Sequence, residues 1–290
     1  MPCPPPSTSR PRPCCRCRLW WCAMPADFII DGGMSTQLES MGHDISGNLW
    51  TARALFESPE VIVDAHRAFA DAGAEVLITA SYQVSRQGFV EAGLTAQQAD
   101  ESLVRSVELA REASSSAMVA ASIGPYGAIL HDGSEYRGKY GLTREQLAEF
   151  HRERISFLVS AVPDYLALET IPDALEAQAL ADALEGNEIP AWITFSAKDG
   201  AHTCAGQPIE DAVRAAEVIP GISRVGINCT DPVFVPELID RIRATTSLPV
   251  IVYPNAGGTW DAATGLWNGV TIDDIARNAV EWVEHGATWV

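Results

Sequence analysis

Residues 165–196 read YLALETIPDALEAQALADALEGNEIPAWITFS and contain a strand–helix–strand unit. Tyr165–Glu169 and Ala191–Ser196 are short apolar runs, which is typical of strands covered on both faces. The segment between them ends at Gly186, a residue type that commonly terminates a helix. This stretch predicts two neighbouring strands of an α/β protein, joined by a crossover helix.

The same alternation runs from Asp27 to the end of the chain. The other predicted strands are Phe28–Asp31, Glu75–Ala80, Val119–Ile123, Arg224–Asn228, Pro249–Tyr253 and Ala287–Val290. Eight strands with seven helices between them predict a (β/α)8 TIM barrel. The alternative is a doubly wound open sheet, but its first turn should be glycine-rich in a way that Asp31-Gly-Gly-Met34 is not. Val290 comes where the eighth strand should lead into its helix, so we expect a barrel truncated after that strand.

Helix boundaries are marked by capping residues. Pro59 after Ser58 is typical of a first helical turn, and Thr95 with Gln98 forms the spacing of a capping box. The same signals recur at Thr143 with Gln146, and glycines at Gly73, Gly186 and Gly286 mark helix ends. His66, His151 and His285 fall in helical stretches, where we expect satisfied surface or interface histidines.

The first 26 residues differ from the rest in composition. They contain four arginines, five of the seven cysteines and no acidic residue. We interpret residues 1–26 as a disordered or spurious leader, with Met24 as a candidate true start. A zinc knuckle from Cys14, Cys15, Cys17 and Cys22 is the alternative, but the spacing matches no standard ligand pattern. Residues 27–290 are then one barrel domain that lacks its eighth helix.

Composition and charge exclude several classes of protein. A net charge of −18, from 38 acidic and 20 basic residues, repels phosphate backbones and excludes nucleic acid as a partner. No apolar run approaches the roughly 18 residues of a membrane span, which excludes an integral membrane protein. Only Cys204 and Cys229 lie after the leader, too few for a disulfide framework, so we expect a reducing, cytoplasmic location.

The loops that follow the strands carry the candidate site, since chemistry gathers at that rim in barrels of this class. The candidates are two acids, a thiol, two amides and two phenols: Asp31, Glu169, Cys229, Asn228, Asn255, Tyr82 and Tyr126. Carboxylates and amides on one rim suit a small zwitterion. Asp31 also fits a simple turn former and Cys229 a small buried side chain. Glu169 ends an apolar run, where an unpaired carboxylate is costly and a functional role is favoured.

Other catalytic signatures are incomplete. Gly133–Tyr140 is close to a phosphate-binding loop, but Tyr140 replaces the Ser or Thr that holds magnesium and no strand precedes it. Lys198 follows the fifth predicted strand and would be needed for Schiff-base chemistry in a lyase or aldolase. That metal-independent barrel enzyme remains an alternative.

Seven motifs in order resemble the homocysteine S-methyltransferases, especially the small enzymes that use S-methylmethionine or S-adenosylmethionine. They are Asp31-Gly-Gly-Met34, Ile78-Thr-Ala-Ser-Tyr-Gln83, Ser122-Ile-Gly-Pro-Tyr-Gly-Ala128, Asp132-Gly-Ser-Glu-Tyr-Arg-Gly138, Glu169-Thr-Ile-Pro172, Gly226-Ile-Asn-Cys229 and Val252-Tyr-Pro-Asn255. The likeness runs from about Phe28 to Val290.

The resemblance implies a zinc-dependent barrel that methylates homocysteine to methionine. The metal would be held by Cys229 and by two further cysteines expected beyond Val290; Cys204 matches no family ligand. Glu169 would take the homocysteine ammonium, Asp31 would help to order the substrate, and Asn228 would brace the metal loop.

The aromatic and amide residues of the rim complete the expected substrate site. Tyr82 and Tyr126 would line a sulfonium donor, and Asn255 would contact substrate. A betaine-type donor is an alternative, and so is a catalytically inactive truncated barrel that cannot hold zinc.

Overall fold

The computed structural model describes residues 26–43, 49–257, 259–261, 266–268 and 272–290. The predicted leader lies outside the described residues except for Ala26, and so do its five cysteines. Within the described ranges, no helix is both long enough and apolar enough to cross a membrane.

A parallel sheet of seven strands forms the centre of the fold and curls into a TIM-like barrel. Its strands pair in chain order, without the reversal of order that a doubly wound sheet requires. A separate antiparallel hairpin consists of β7 (Thr259–Asp261) and β8 (Leu266–Asn268). The seven strands of the sheet are β1 (Val76–Ile78), β2 (Met118–Ile123), β3 (Tyr165–Ile171), β4 (Ala191–Phe195), β5 (Ile222–Asn228), β6 (Val250–Tyr253) and β9 (Ala287–Trp289).

The predicted first strand, Phe28–Asp31, joins the two edge strands of this sheet, β1 and β9. Phe28 forms a parallel bridge to Trp289 in β9, and Ile30 forms one to Val76 in β1. The ladder therefore has seven strands within the described residues. The predicted first strand, Phe28–Asp31, contributes isolated bridges to both edges in place of a continuous strand.

Helices follow the strands, as the sequence pattern predicts. Short 3-10 helices span Tyr126–Ile129, Ser134–Tyr136 and Pro232–Phe234. The α-helices of the described residues are α1 (Met34–Ser40), α2 (Trp50–Glu57), α3 (Pro59–Ala72), α4 (Arg86–Glu91), α5 (Ala96–Ala113), α6 (Arg144–Ser160), α7 (Ala174–Ala183), α8 (Ile209–Ala216), α9 (Val235–Thr245) and α10 (Ile272–His285).

The predicted helix caps are largely confirmed. Thr95 and Thr143 each form a complete capping box with the residue three positions later. Pro59 is the first residue of α3, but the Ser58 side chain makes no capping hydrogen bond. Gly73 and Gly286 follow α3 and α10 with φ of 110° and 111°, a backbone conformation that favours glycine.

The core has two layers because successive strand residues face opposite sides of the sheet. In β3, for example, Ala167 faces the barrel interior while Leu166 and Leu168 pack against the helices. This double burial explains why the strands have no polar alternation. The buried interior cluster is Ile30, Val76, Ala120, Ala167, Trp192, Ile251 and Trp289.

Two of the helical histidines lie in the core, which differs from their expected place at a surface or interface. His66 in α3 and His151 in α6 are both fully buried. His151 Nε2 pairs with Glu176 Oε1 at 2.9 Å, whereas neither ring nitrogen of His66 has a hydrogen-bond partner. The helix of His66 turns it towards Asp31, whereas that of His151 turns it towards Glu176 in α7.

Candidate functional site

The ends of β3 and β5 are joined by the buried side chain of Asn228. Its Oδ1 accepts from the Thr170 N–H at 2.8 Å, and its Nδ2 donates to Thr170 Oγ1 at 2.8 Å and to Cys229 Sγ at 3.4 Å. Thr170 and Cys229 have positive φ values of 61° and 46°, which are strained for residues with a Cβ. Asn228 therefore holds two strained residues in place at the rim.

Among the residues that the structure describes, hydrogen-bond donors contact the Cys229 thiol, but no basic side chain does. Thr170 Oγ1 lies 3.5 Å from Sγ, and the Tyr136 hydroxyl also hydrogen-bonds to it. Burial raises the pKa of Cys229 to about 11, and the charge of Glu169 acts in the same direction. The thiol is therefore neutral at pH 7 unless a cation binds beside it.

Glu169 is a buried carboxylate next to this thiol. Ser122 Oγ and the Tyr253 hydroxyl hydrogen-bond to it, and the hydroxyl of Tyr253 is itself held by Trp192 Nε1 at 3.0 Å and Thr194 Oγ1 at 2.9 Å. Burial raises the pKa of Glu169 to about 7, because its hydrogen bonds only partly compensate for lost hydration. Among the described residues, no basic side chain forms an ion pair with it.

Asp31 is the second buried carboxylate. Its Oδ2 accepts from the Ile78 N–H at 2.8 Å and lies 3.9 Å from His66 Nδ1, while Oδ1 has no hydrogen-bond partner. Burial raises the pKa of Asp31, and the charge of Glu169 adds to the effect. Burial also lowers the pKa of His66 to about 4, so that the imidazole stays neutral and leaves Asp31 without a cationic partner.

Tyr82 is placed by close packing of the loops after β1 and β2. A Cβ at Gly124 would lie 2.6 Å from the Tyr82 ring, so only glycine fits there. Arg154 of α6, fully buried, donates to the carbonyl of Tyr82 at 2.8 Å and to that of Gly124 at 2.8 Å. The Tyr82 side chain hydrogen-bonds to Thr170, which brings it beside Cys229.

Two further predicted site residues, Tyr126 and Asn255, make different contacts. The Tyr126 ring packs on Tyr140 and Phe150, with centroid separations of 5.4 and 5.0 Å. Asn255 is exposed in the loop after β6, where its N–H donates to the Thr230 carbonyl. Their contacts with substrate stay predictions.

Sequence reasoning missed two residues that do reach the site. Glu135 is 5% exposed, and its Oε2 has no hydrogen-bond partner. Tyr136 follows it and contacts Cys229. The available signal was the Asp132–Gly138 motif, whose glycine spacing resembles a phosphate loop and which also carries part of the family resemblance.

The described residues do not assemble a complete metal site. No group of three His, Cys, Asp or Glu side chains in the described ranges is arranged to hold a metal ion. Cys229 is one soft ligand, whereas a tetrahedral zinc site needs several. Lys198, the candidate for Schiff-base chemistry, is exposed.

Known proteins are similar to this chain in both sequence and fold. The family model for homocysteine S-methyltransferase matches residues 28–290. Homocysteine S-methyltransferase 4 from Zea mays is 42% identical over 285 residues, which cover 90% of this chain and 83% of the maize protein. Homocysteine S-methyltransferase YbgG from Bacillus subtilis (strain 168) is 42% identical over 277 residues, with 90% and 87% covered.

A solved structure is also similar. The crystal structure of the homocysteine methyltransferase MmuM from Escherichia coli, in its metallated form, matches with a TM-score of 0.80 and 35% identity. The match covers 94% of this chain and 92% of that one.

Proposed function

Because the chain belongs to the homocysteine S-methyltransferase family, we propose that it methylates homocysteine with a sulfonium donor, S-methylmethionine or S-adenosylmethionine. The donor S–CH3 bond breaks as a new S–CH3 bond forms on the homocysteine thiolate. The products are methionine and a neutral thioether. The chain's own task in this reaction is to bind and orient two substrates.

The acceptor site is built on Glu169 and Asp31. Both carboxylates are buried, and neither has a basic partner strong enough to neutralise it in the described residues. An ammonium group from the substrate would supply that partner, since a buried carboxylate is stable only when it is paired. This unpaired acidic pair beside the Cys229 thiol is the observation that carries the proposal.

We propose Cys229 as one ligand of a catalytic zinc ion. Two further cysteine thiolates, which the family resemblance places after the eighth strand, would complete the set. The described residues contribute one thiol and do not fit a full zinc site by themselves, so we assign no step of the reaction to the metal.

We also propose that residues 27–290 form one homocysteine-binding domain and that its barrel has eight strands, with Phe28–Asp31 as the first. The bridges from Phe28 and Ile30 to both edges of the sheet support this arrangement.

The proposed role of Glu169 is tested by replacing it with alanine and titrating homocysteine by calorimetry. We expect Glu169→Ala to weaken binding by about 2 kcal/mol or more, because the ammonium loses a buried charge partner. Glu149→Ala, which removes a carboxylate that is 76% exposed, is the matched control and should bind normally. Unchanged affinity in Glu169→Ala would refute this role.

The reaction itself is tested by assaying methionine formation with each donor in turn, with zinc present. Methionine from a sulfonium donor supports the proposal, whereas methionine from betaine alone assigns the alternative donor class. A zinc-loaded protein that forms no methionine from any of these donors would contradict the proposed activity.

A further inference from the structure

Glu135 is a buried carboxylate that the acceptor site does not use. It lies in the 3-10 helix Ser134–Tyr136 and is 5% exposed. Its Oε2 has no hydrogen-bond partner among the described residues. Burying a carboxylate oxygen without a partner costs free energy, so a group that binds there would remove a penalty already present in the free protein.

The position of Glu135 is set by tight packing at the rim. A Cβ at Gly127 would lie 2.4 Å from the Glu135 backbone nitrogen, so the 3-10 helix rests directly on the loop after β2. Tyr136, the next residue, hydrogen-bonds to Cys229. The charge of Glu135 also acts on Tyr82 and on Cys229, which places its carboxylate on the thiol side of the rim.

No described cation neutralises this carboxylate directly. Arg137, which lies nearest in the chain, donates to the Asp132 carboxylate at 3.0 Å and carbonyl at 2.8 Å and to Ser134 Oγ at 2.9 Å. Asp31 and Glu169 are assigned to the ammonium of homocysteine. The charge of Arg137 acts on Glu135 from a distance, but its ion pair in the described residues is with Asp132. Glu135 is therefore a third buried acid at the same rim, and no described cation forms an ion pair with it.

A sulfonium group would supply the positive charge that this position lacks. It carries a positive charge but no N–H or O–H, so it needs an opposing charge and polarisable aromatic faces more than hydrogen-bond acceptors. Two phenol side chains belong to the same part of the rim, since Tyr136 follows Glu135 in the chain and the charge of Glu135 acts on the hydroxyl groups of both Tyr136 and Tyr82. An ammonium or guanidinium, by contrast, would call for several convergent acceptors.

We propose that Glu135, with Tyr136, forms the subsite for the cationic sulfonium group of the methyl donor. This inference rests on the proposed function and assigns the donor side of the same site. Glu135 selects a positively charged methyl donor over an uncharged one, while Glu169 and Asp31 select the acceptor.

The test compares two ligands of nearly the same shape in calorimetric titrations of the full chain. One is S-methylmethionine, and the other is homoleucine, in which an uncharged CH replaces the sulfonium sulfur. We expect the full chain to bind S-methylmethionine about ten-fold more tightly or better, and Glu135→Gln to reduce that preference to about two-fold or less. Homocysteine affinity should stay unchanged in Glu135→Gln.

Two further variants control for folding and for net charge. Glu135→Asp keeps the charge and should keep a preference for S-methylmethionine, and Glu149→Gln makes the same charge change at an exposed site and should behave as the unaltered chain does. Thermal melting of each variant checks that it is folded. If Glu135→Gln retains the full preference, or if the unaltered chain shows none, the inference is overturned.

Such a result would not refute the proposed acceptor site. Homocysteine binding that depends on Glu169 would still support it, so the two proposals fail on different measurements.

Discussion

At the scale of single residues, the site contains buried groups whose ionised form is disfavoured by burial, and residues whose backbone conformation is strained. His66 is one of them, because it has no hydrogen-bond partner and burial lowers its pKa to about 4 from an ordinary 6.5. Groups of this kind couple folding to pH.

We expect His66 to make the protein less stable in mild acid. As the pH falls below about 6.5, His66 becomes protonated in the unfolded chain but stays neutral in the folded chain until about pH 4. The free energy of unfolding therefore decreases over that window, by up to about 3 kcal/mol. Urea unfolding of His66→Leu should show a flatter pH profile than that of the unaltered chain.

The raised pKa values of Asp31 and Glu169 have the opposite effect on stability. Their contribution to the free energy of unfolding is present at low pH and is lost as the pH rises. These carboxyl groups are present in both proteins, so the difference between the two profiles reports on His66 together with its contact to Asp31 at 3.9 Å. Ile62→Leu, which alters a buried apolar residue of the same helix and changes no titratable group, is the control and should keep the shape of the profile.

Asn228 should control the reactivity of the Cys229 thiol. Asn228→Asp keeps an acceptor for the Thr170 N–H but replaces the N–H that donates to Sγ with a negative oxygen. A carboxylate beside the thiol disfavours the thiolate, so we expect alkylation of Cys229 by iodoacetamide to slow by about ten-fold.

Alkylation is followed peptide by peptide with mass spectrometry. Cys204 in the same samples is the internal control, and its rate should not change. Equal rates at Cys229 in both proteins would show that Asn228 does not tune this thiol.

At the scale of elements, the rim loops are held by a side chain from a helix on the outside of the barrel. Arg154 of α6 donates to the carbonyls of Val84, Gly124 and Tyr82 at 2.7–2.8 Å. A guanidinium is suited to this because its five N–H groups are fixed in one plane. The loops after β1 and β2 therefore share one support.

Replacing Arg154 with methionine should destabilise the protein by about 3 kcal/mol or more, because several buried carbonyls lose their donor at once. Arg152→Met, on the same helix, removes an arginine that is half exposed and paired with Glu149, and should cost no more than about 1 kcal/mol. Urea unfolding measures both. Similar losses in the two variants would contradict a special role for Arg154.

At the scale of the whole molecule, the two edges of the curled sheet, β1 and β9, are joined through the segment that contains Phe28 and Ile30. Trp289 in β9 is fully buried and packs on Phe28, Tyr165 and Trp192, with ring centroids 5.0–5.7 Å apart. The Arg224 guanidinium lies 3.8 Å from its ring centroid. One side chain thus connects both edges of the sheet to the interior cluster.

We expect Trp289→Ala to destabilise the protein by about 3–5 kcal/mol, since it leaves a large cavity in the interior. Hydrogen exchange at the Ile30 and Val290 amides, which join these edges, should speed up more than exchange in α5. Ile275→Ala, at a residue that is 41% exposed, is the control. An even loss of protection across the molecule would argue that Trp289 stabilises the fold without closing it.

The sequence by itself determined the chain order of the strands in the parallel sheet and the starts of the capped helices, but it did not predict the β7–β8 hairpin or the isolated bridges of Phe28–Asp31. Apolar runs such as Tyr165–Glu169 and capping pairs such as Thr143 with Gln146 depend on neighbours in the chain, and local pattern is sufficient for them. It also predicted that Glu169, Asn228 and Cys229 lie together, because the residues after parallel strands meet at one rim whatever their separation in sequence.

Only the tertiary structure decided which of the rim residues meet. It brings Glu135 and Tyr136 to the thiol and leaves Tyr126 packed on other aromatic rings. Which way a loop folds over the rim depends on contacts between distant segments, such as Gly127 against the Ser134–Tyr136 helix. Those contacts are steric and long-range, and no periodicity in the chain encodes them.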